Sequence, residues 1–372
     1  MTKKKLLIVG AFPKQDQIIF GGIVRSCDLI LKSSIKDAYE ILPFDSSQIS
    51  NPPPLFAIRA LLAFKRLISF VHHIIKVKPD SALIFCSDGF SALEKGLMIY
   101  ICKLFKIPSL IFPRAGNLIK QSQNSKIFFR VIKFFFTKAS IFLCQGESWQ
   151  DFALNKLLFS SDRVTVINNW TADSRKLEIG ATKNYEQKEG ALKFIFVGWV
   201  EEFKGIFELT HACKHLADLG YDFSLTIIGD GHASKNVTKF ITKNKLDRFI
   251  DFRGWIDSNK LDSILLNHDI FVLPSWSEGF PNSMIEAMAC GLTTIVTPVG
   301  TIPDFIEDNE HALIVPVKNE QSLAQAMIEL IDNQHLRERL GRNAHSLAKR
   351  EFSSSRALRE LTNAIDASLT YN

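Results

Sequence analysis

The sequence predicts an α/β protein made of two Rossmann-like units, each a doubly wound parallel sheet, facing each other across a cleft. Short apolar runs alternate with longer segments of helical periodicity, which implies parallel strands with helices on both faces. The alternation stops at a polar stretch near residues 171–190 and then restarts. The 372 residues suffice for two domains of about 100–200 residues each. With 46% hydrophobic and 23% charged residues the composition is that of a globular protein with a large core.

In the first half, the runs 6–11, 82–86, 109–112, 141–144 and 164–167 read as buried strands, and 22–32 and 55–76 as helices. A first domain is expected over 1–172. The following residues, rich in Lys, Glu, Ala and Asn, read as a helix-poor linker over 173–190. A second domain over 191–352 carries strand candidates at 194–197, 224–228, 249–252, 270–273, 293–296 and 312–315. The basic start followed by 6–12 has too short an apolar core and no cleavage site for a signal peptide, so a first strand explains it better. No run reaches the ~18 apolar residues of a membrane span; 97–113 comes nearest and is broken by Lys103 and Lys106.

Residues 275–291 read Ser-Trp-Ser-Glu-Gly-Phe-Pro-Asn-Ser-Met-Ile-Glu-Ala-Met-Ala-Cys-Gly. A strand precedes them, and a helix from Ser283 is expected to close at Gly291, a residue type suited to the left-handed position after a helix. Glu278 then sits on a loop at the carboxyl end of a strand and Glu286 in the first turns of the next helix. Open α/β sheets bind ligands there, and a helix N-terminus suits a phosphate. Ser283-x-x-Glu286 also fits a capping box, so Glu286 reads alternatively as a cap and Glu278 as a solvated loop residue. The whole string resembles the E-x7-E signature of the retaining glycosyltransferase family 4, whose fold is GT-B. The resemblance implies that Glu278 lies by the donor sugar and that Glu286 accepts from the ribose hydroxyls. Two vicinal hydroxyls are two donors and a carboxylate is a pure acceptor. It implies that Gly279, Phe280, Pro281 and Asn282 help position the donor, and that the helix within 353–372 returns to the first domain.

Four further segments extend the resemblance. Residues 196–205, Phe-Val-Gly-Trp-Val-Glu-Glu-Phe-Lys-Gly, place Gly198 in a turn after a strand and Lys204 before a helix, where an ammonium neutralises a departing diphosphate. The family usually has an Arg beside that first glycine; here Trp199 stands in its place, which removes a bidentate phosphate ligand. Gly21 and Gly22 open a helix, and bare Cα atoms admit a phosphate. The resemblance puts them against the diphosphate from the first domain. Residues 225–231 end in Gly229-Asp-Gly231, an element the family places near the nucleotide. The third glycine of a dinucleotide fingerprint is missing and no acidic partner follows at a strand end, which argues against a dehydrogenase. Residues 166–170 match a strand-end asparagine, and 297–304 a turn in which Thr301 and Asp304 replace the family's second Gly and its Glu. The family's first-domain histidine has no counterpart; Arg114 stands nearby, reading as an acceptor or phosphate ligand or as a loop arginine.

The net charge is +6. Bases and aromatics share the segments 58–78 and 126–138, which read either as packed surface helices or as faces for an anionic membrane surface. No nucleic-acid-binding module is present, and these segments are too apolar to track phosphates. The six cysteines are scattered without metal-ligand spacing and read as reduced, buried residues of a cytosolic protein. No Asp-x-Asp occurs, so no cofactor and no essential metal are expected. The resemblance implies transfer of a hexose or N-acetylhexosamine, with UDP favoured as the carrier. The acceptor is then a glycan or lipid-linked glycan, in bacterial surface polysaccharide synthesis, by a cytoplasmic protein with a peripheral inner-membrane surface as partner. The rival readings are a non-catalytic scaffold with a degenerate site, and a sugar phosphorylase or nucleotide-sugar epimerase on the same fold.

Overall fold

The computed structural model describes residues 3–12, 22–47, 55–114, 117–186 and 190–371. The chain forms two compact units, Met1–Asn168 with Ser355–Asn372, and Asn169–Ser354. Each has a six-stranded sheet.

The first sheet contains β1 (Lys4–Gly10), β2 (Tyr39–Asp45), β3 (Ser81–Cys86), β4 (Ser109–Pro113), β5 (Ile141–Cys144) and β6 (Val164–Val166), in the order β2-β1-β3-β4-β5-β6. All pairs are parallel. β3, β4 and β5 are buried along their whole length, as strands covered on both faces must be, which is why they stand out as apolar runs. β2 was not expected from the sequence. It is the edge strand, buries chiefly Tyr39 and Phe44, and contains Pro43, whose missing N–H is tolerated at an edge. The helices Gly22–Lys32 and Phe56–Val77 lie within one residue of expectation. The helix Ser354–Ser368 packs in this unit: Ser368 meets Ser81 at 3.0 Å, Tyr39 donates to Asp366, and Leu361 and Ile365 are buried.

The second sheet contains β7 (Leu192–Val197), β8 (Phe223–Ile228), β9 (Ile250–Gly254), β10 (Ile270–Leu273), β11 (Thr293–Val296) and β12 (Leu313–Ile314), in the order β12-β11-β10-β7-β8-β9, again all parallel. Phe194, Phe196, Phe271 and Ile295 fill its core.

The helix-poor linker expected over 173–190 is corrected. Ser174–Ala181 is a helix, N-capped by Asp173, whose carboxylate accepts from the Lys176 N–H at 3.1 Å, and it belongs to the second unit. It escapes a hydrophobic-periodicity reading because polar groups make its contacts. Lys176 is buried and ion-paired to Asp262 at 3.0 Å, and Gly180 packs where a Cβ would meet the Ala289 carbonyl.

Candidate active site

The strand order locates the site before any side chain is considered. In the second unit the chain runs from β7 outward to β8 and β9, then returns to the other side of β7 as β10. The topological switch point therefore lies between β7 and β10, and ligands of open α/β sheets bind outside the carboxyl ends of strands at such a point. The loop after β7 carries Lys204 and the loop after β10 carries Glu278. They meet there: Lys204 Nζ lies 2.6 Å from Glu278 Oε1, with both side chains largely shielded from solvent. Ser275 Oγ donates to the same oxygen at 2.7 Å. Two reactive-type groups expected to act separately thus form one hydrogen-bonded unit.

The local structure explains Lys204. Glu202–Lys204 is a single 3-10 turn, and the helix itself starts at Ile206. Gly205 between them has φ +71°, and a Cβ there would sit 2.0 Å from the Pro274 carbonyl oxygen. Only glycine lets the Lys204 turn lie this close to the end of β10.

The segment 279–282 is held from both sides. Asn169 Nδ2 donates to the Phe280 carbonyl at 2.9 Å and to Asn282 Oδ1 at 3.0 Å, and Thr171 Oγ1 donates to the Asn282 carbonyl at 3.3 Å. Across it, the Thr301 N–H and hydroxyl donate to the Gly279 carbonyl at 2.9 and 3.1 Å. The next helix, Asn282–Ala289, follows Pro281 in the cap position with no side-chain cap. The capping-box alternative for Ser283 and Glu286 is therefore not realised: Ser283 lies inside the helix. The first N–H groups of that helix have no intrahelical acceptor, as at any helix start. Glu286 is buried on its second turn. Lys176 is held protonated beside it: burial by itself would lower that ammonium, but Glu286, Asp173 and Asp262 outweigh it and raise its pKa.

The glycines after β7 and β8 bring two loops into contact. Gly198 N–H donates to the Ile228 carbonyl at 3.0 Å, Val200 N–H to the Asp230 carbonyl at 3.1 Å, and Gly231 N–H to Ser234 Oγ at 2.9 Å. Gly229 has φ +131° and a Cβ there would clash with the Gly198 carbonyl oxygen. Glu201 closes the junction by accepting from the His232 N–H at 3.1 Å and pairing with its ring Nδ1 at 2.7 Å. Trp199, standing where the resemblance expects Arg, packs edge-to-face on Trp255 with ring centres 4.8 Å apart. A charged fork is replaced by an aromatic pair at the ends of β7 and β9. Bordering the Lys204 turn at Glu202, an open cavity of about 430 Å³ is lined by Glu202, Glu208, Trp276 and Lys318 among others.

In the first unit the switch point lies between β1 and β3. Gly22 begins the helix after β1; Gly21 lies outside the described residues. Arg114, directly after β4, is partly buried with its guanidinium 5.0 Å from the Phe112 ring centre. Burial pulls its pKa down to about 9, which leaves it charged at neutral pH. All six cysteines are free and buried, and burial raises every thiol, Cys102 to about 12, so none is a thiolate nucleophile near neutrality. Among the described residues no group of three His, Cys, Asp or Glu side chains is placed to hold a metal.

Sequence reasoning gave no role to Ser275 or Lys176, and reached Asn169 only as part of the strand-end asparagine match at 166–170. Asn169 reaches a partner 111 residues away, a link that no local pattern encodes.

Residues 181–347, which include Lys204, Glu278 and Glu286, match the family described as "Glycosyl transferases group 1". An uncharacterized glycosyltransferase of Methanocaldococcus jannaschii is 29% identical over 89% of this chain and 90% of its own length. Residues 181–347 form a group 1 glycosyltransferase domain. A capsular polysaccharide biosynthesis glycosyltransferase of Staphylococcus aureus is 25% identical to this glycosyltransferase over 78% of its chain and 83% of the relative. The fold is GT-B: the solved structure of the Anabaena protein HepE in complex with UDP and glucose superposes with a TM-score of 0.69 at 14% identity, over 98% of this glycosyltransferase and 99% of that chain.

Proposed function

We propose that this glycosyltransferase moves a hexose or N-acetylhexosamine from a UDP-linked donor to a glycan or lipid-linked glycan, with retention at the anomeric carbon, in surface polysaccharide synthesis. The observation that carries the reading is the Lys204–Glu278 pair at the β7/β10 switch point. An ammonium there meets the diphosphate, and the carboxylate beside it meets a sugar hydroxyl. The N–H groups at the start of the Asn282–Ala289 helix add positive potential for the same diphosphate. Glu286 accepts from the ribose hydroxyls, with the Lys176 ammonium beside it. The loop 279–282, fixed by Asn169 and Thr301, positions the sugar. In the transfer, the bond from the anomeric carbon to the β-phosphate oxygen breaks and the acceptor oxygen bonds to that carbon. The acceptor proton passes to the departing phosphate, whose growing charge Lys204 stabilises. Lysine and amide donors supply this without a metal. The relative named for capsular polysaccharide biosynthesis supports a glycan acceptor, and the HepE complex supports UDP as a ligand of the fold. The protein works at the cytoplasmic face of the membrane, where lipid-linked glycans are built.

The test is a thermal-shift titration with UDP, GDP, ADP, NAD and inorganic phosphate, repeated on Glu286→Ala. A ligand that binds only the folded state raises the melting temperature with concentration. UDP is expected to shift the wild type and not the variant. A response to inorganic phosphate alone would favour a phosphorylase, and no response to any ligand a degenerate site.

A further inference from the structure

The helix Phe56–Val77 has two apolar faces. One, with Ala63, Phe70 and Ile74, is buried in the first unit. The other holds Leu61, Phe64, Ile68 and Ile75, at spacings of three, four and seven, and each is more than half exposed. A helix of a water-facing protein shows one apolar stripe and a polar opposite face. Contiguous exposed apolar surface marks an interaction site. The face continues sideways. Arg66 binds Glu94 through two hydrogen bonds, at 2.6 and 3.1 Å, joining this helix to Gly89–Leu104. Tyr100 on that helix packs against Phe134 of Lys126–Phe136 with ring centres 5.9 Å apart. Ile127 and Phe134 on this third helix are again more than half exposed. The three helices form one layer.

Charge identifies the occupant. Residues 55–78 and 117–138 carry five Lys or Arg each and no Asp or Glu. The remainder of the chain has 35 basic and 39 acidic residues, so the whole net charge of +6 originates in these two segments. The bases flank the apolar side chains; Lys138 Nζ lies 5.1 Å from the Phe134 ring centre. No helix among the described residues is long and apolar enough to cross a membrane. Apolar side chains bordered by Lys and Arg are the chemistry of a helix lying in the headgroup region of an anionic bilayer, its bases on phosphates and its apolar chains at the acyl boundary.

We infer that the exposed face of the 56–77 and 126–136 helices docks the protein on an anionic lipid surface. The inference rests on the membrane location proposed above and names the residues that make it. The experiment is co-sedimentation of the purified full chain with vesicles of phosphatidylcholine containing phosphatidylglycerol, and with phosphatidylcholine alone. Wild type and the triple variant Leu61→Ser/Phe64→Ser/Ile68→Ser are compared, with melting curves to confirm that the variant folds; Lys65→Glu, which leaves every apolar residue in place, is the second variant. The wild type is expected to bind the anionic vesicles and much less the neutral ones. The triple variant should lose at least tenfold in partitioning, and Lys65→Glu a smaller part that salt also removes. Wild-type binding that all variants retain would overturn the assignment of this face while leaving the location standing. No wild-type binding would overturn both. A dimer that the triple variant converts to a monomer would show a second copy of the chain as the true occupant.

Discussion

Lys204 and Glu278 stand 74 residues apart in sequence and 2.6 Å apart in space. A charge-assisted pair shielded from water is stronger than an exposed one, and it holds the ammonium ready for an incoming anion. Lys204→Ala is expected to lower kcat/KM for the nucleotide-sugar by about 10²–10³-fold, the usual cost of one donor to a developing oxyanion. It should also abolish most of the UDP-induced thermal shift, and a variant with unchanged kinetics would remove Lys204 from the diphosphate site. His268 sets a pH dependence of stability. Its ring is buried, with Nδ1 on the Ile264 carbonyl at 2.7 Å and Nε2 on Thr226 Oγ1 at 2.9 Å. Burial lowers its pKa from the usual 6.5, with Arg253 and Lys193 acting in the same direction and Asp269 and the Ile264 carbonyl opposing. The folded state thus binds the proton less well than the unfolded state. Its contribution is complete above about pH 6.5 and is lost as pH falls below that value. Melting temperature should drop from pH 7 towards pH 5.5, with a shallower slope in His268→Asn.

At the scale of elements, what matters is how closely loops approach. Gly205 holds the left-handed conformation against the Pro274 carbonyl. Gly205→Ala is expected to cost about 1–3 kcal/mol from backbone strain, with a further clash term. It should also raise KM for the donor, because the strand end and the Lys204 turn must separate; chemical denaturation and initial rates measure the two effects. The elements that were legible in the sequence are those whose burial is apolar and local. β3, β10 and β11 are wholly buried runs, and 22–32 and 56–77 carry helical stripes. Those that were not legible take their stability from elsewhere. The edge strand β2 leaves most of its side chains at least partly exposed, and the 174–181 helix is anchored by an ion-paired lysine and a glycine.

For the whole molecule, the chain leaves its first unit near residue 168 and re-enters it near 355. The last helix is therefore part of the first unit's core. Ending the chain after Ser353 would remove the buried Leu361 and Ile365, worth roughly 3–6 kcal/mol together at about 1.5–3 kcal/mol each. That is a large share of a domain's stability. Calorimetry of such a truncation should show the first unit melting early or unfolded, while a transition that UDP still raises persists for the second unit. A single unshifted transition would argue against this division of labour.

The sequence by itself determined the α/β class, the repeated sheet, the E-x7-E string and the positions of Lys204, Glu278 and Glu286. Each is written in a local pattern: an apolar run, a helical period or a short fixed spacing. The tertiary structure decided what those residues touch. It joined Lys204 to Glu278, seated Lys176 by Glu286, and tied the 279–282 loop to Asn169 and Thr301. It also turned a second apolar stripe on the 56–77 helix outward. These outcomes depend on strand order and on contacts between distant residues, and strand order follows from how whole elements pack, a quantity that no short window of sequence contains.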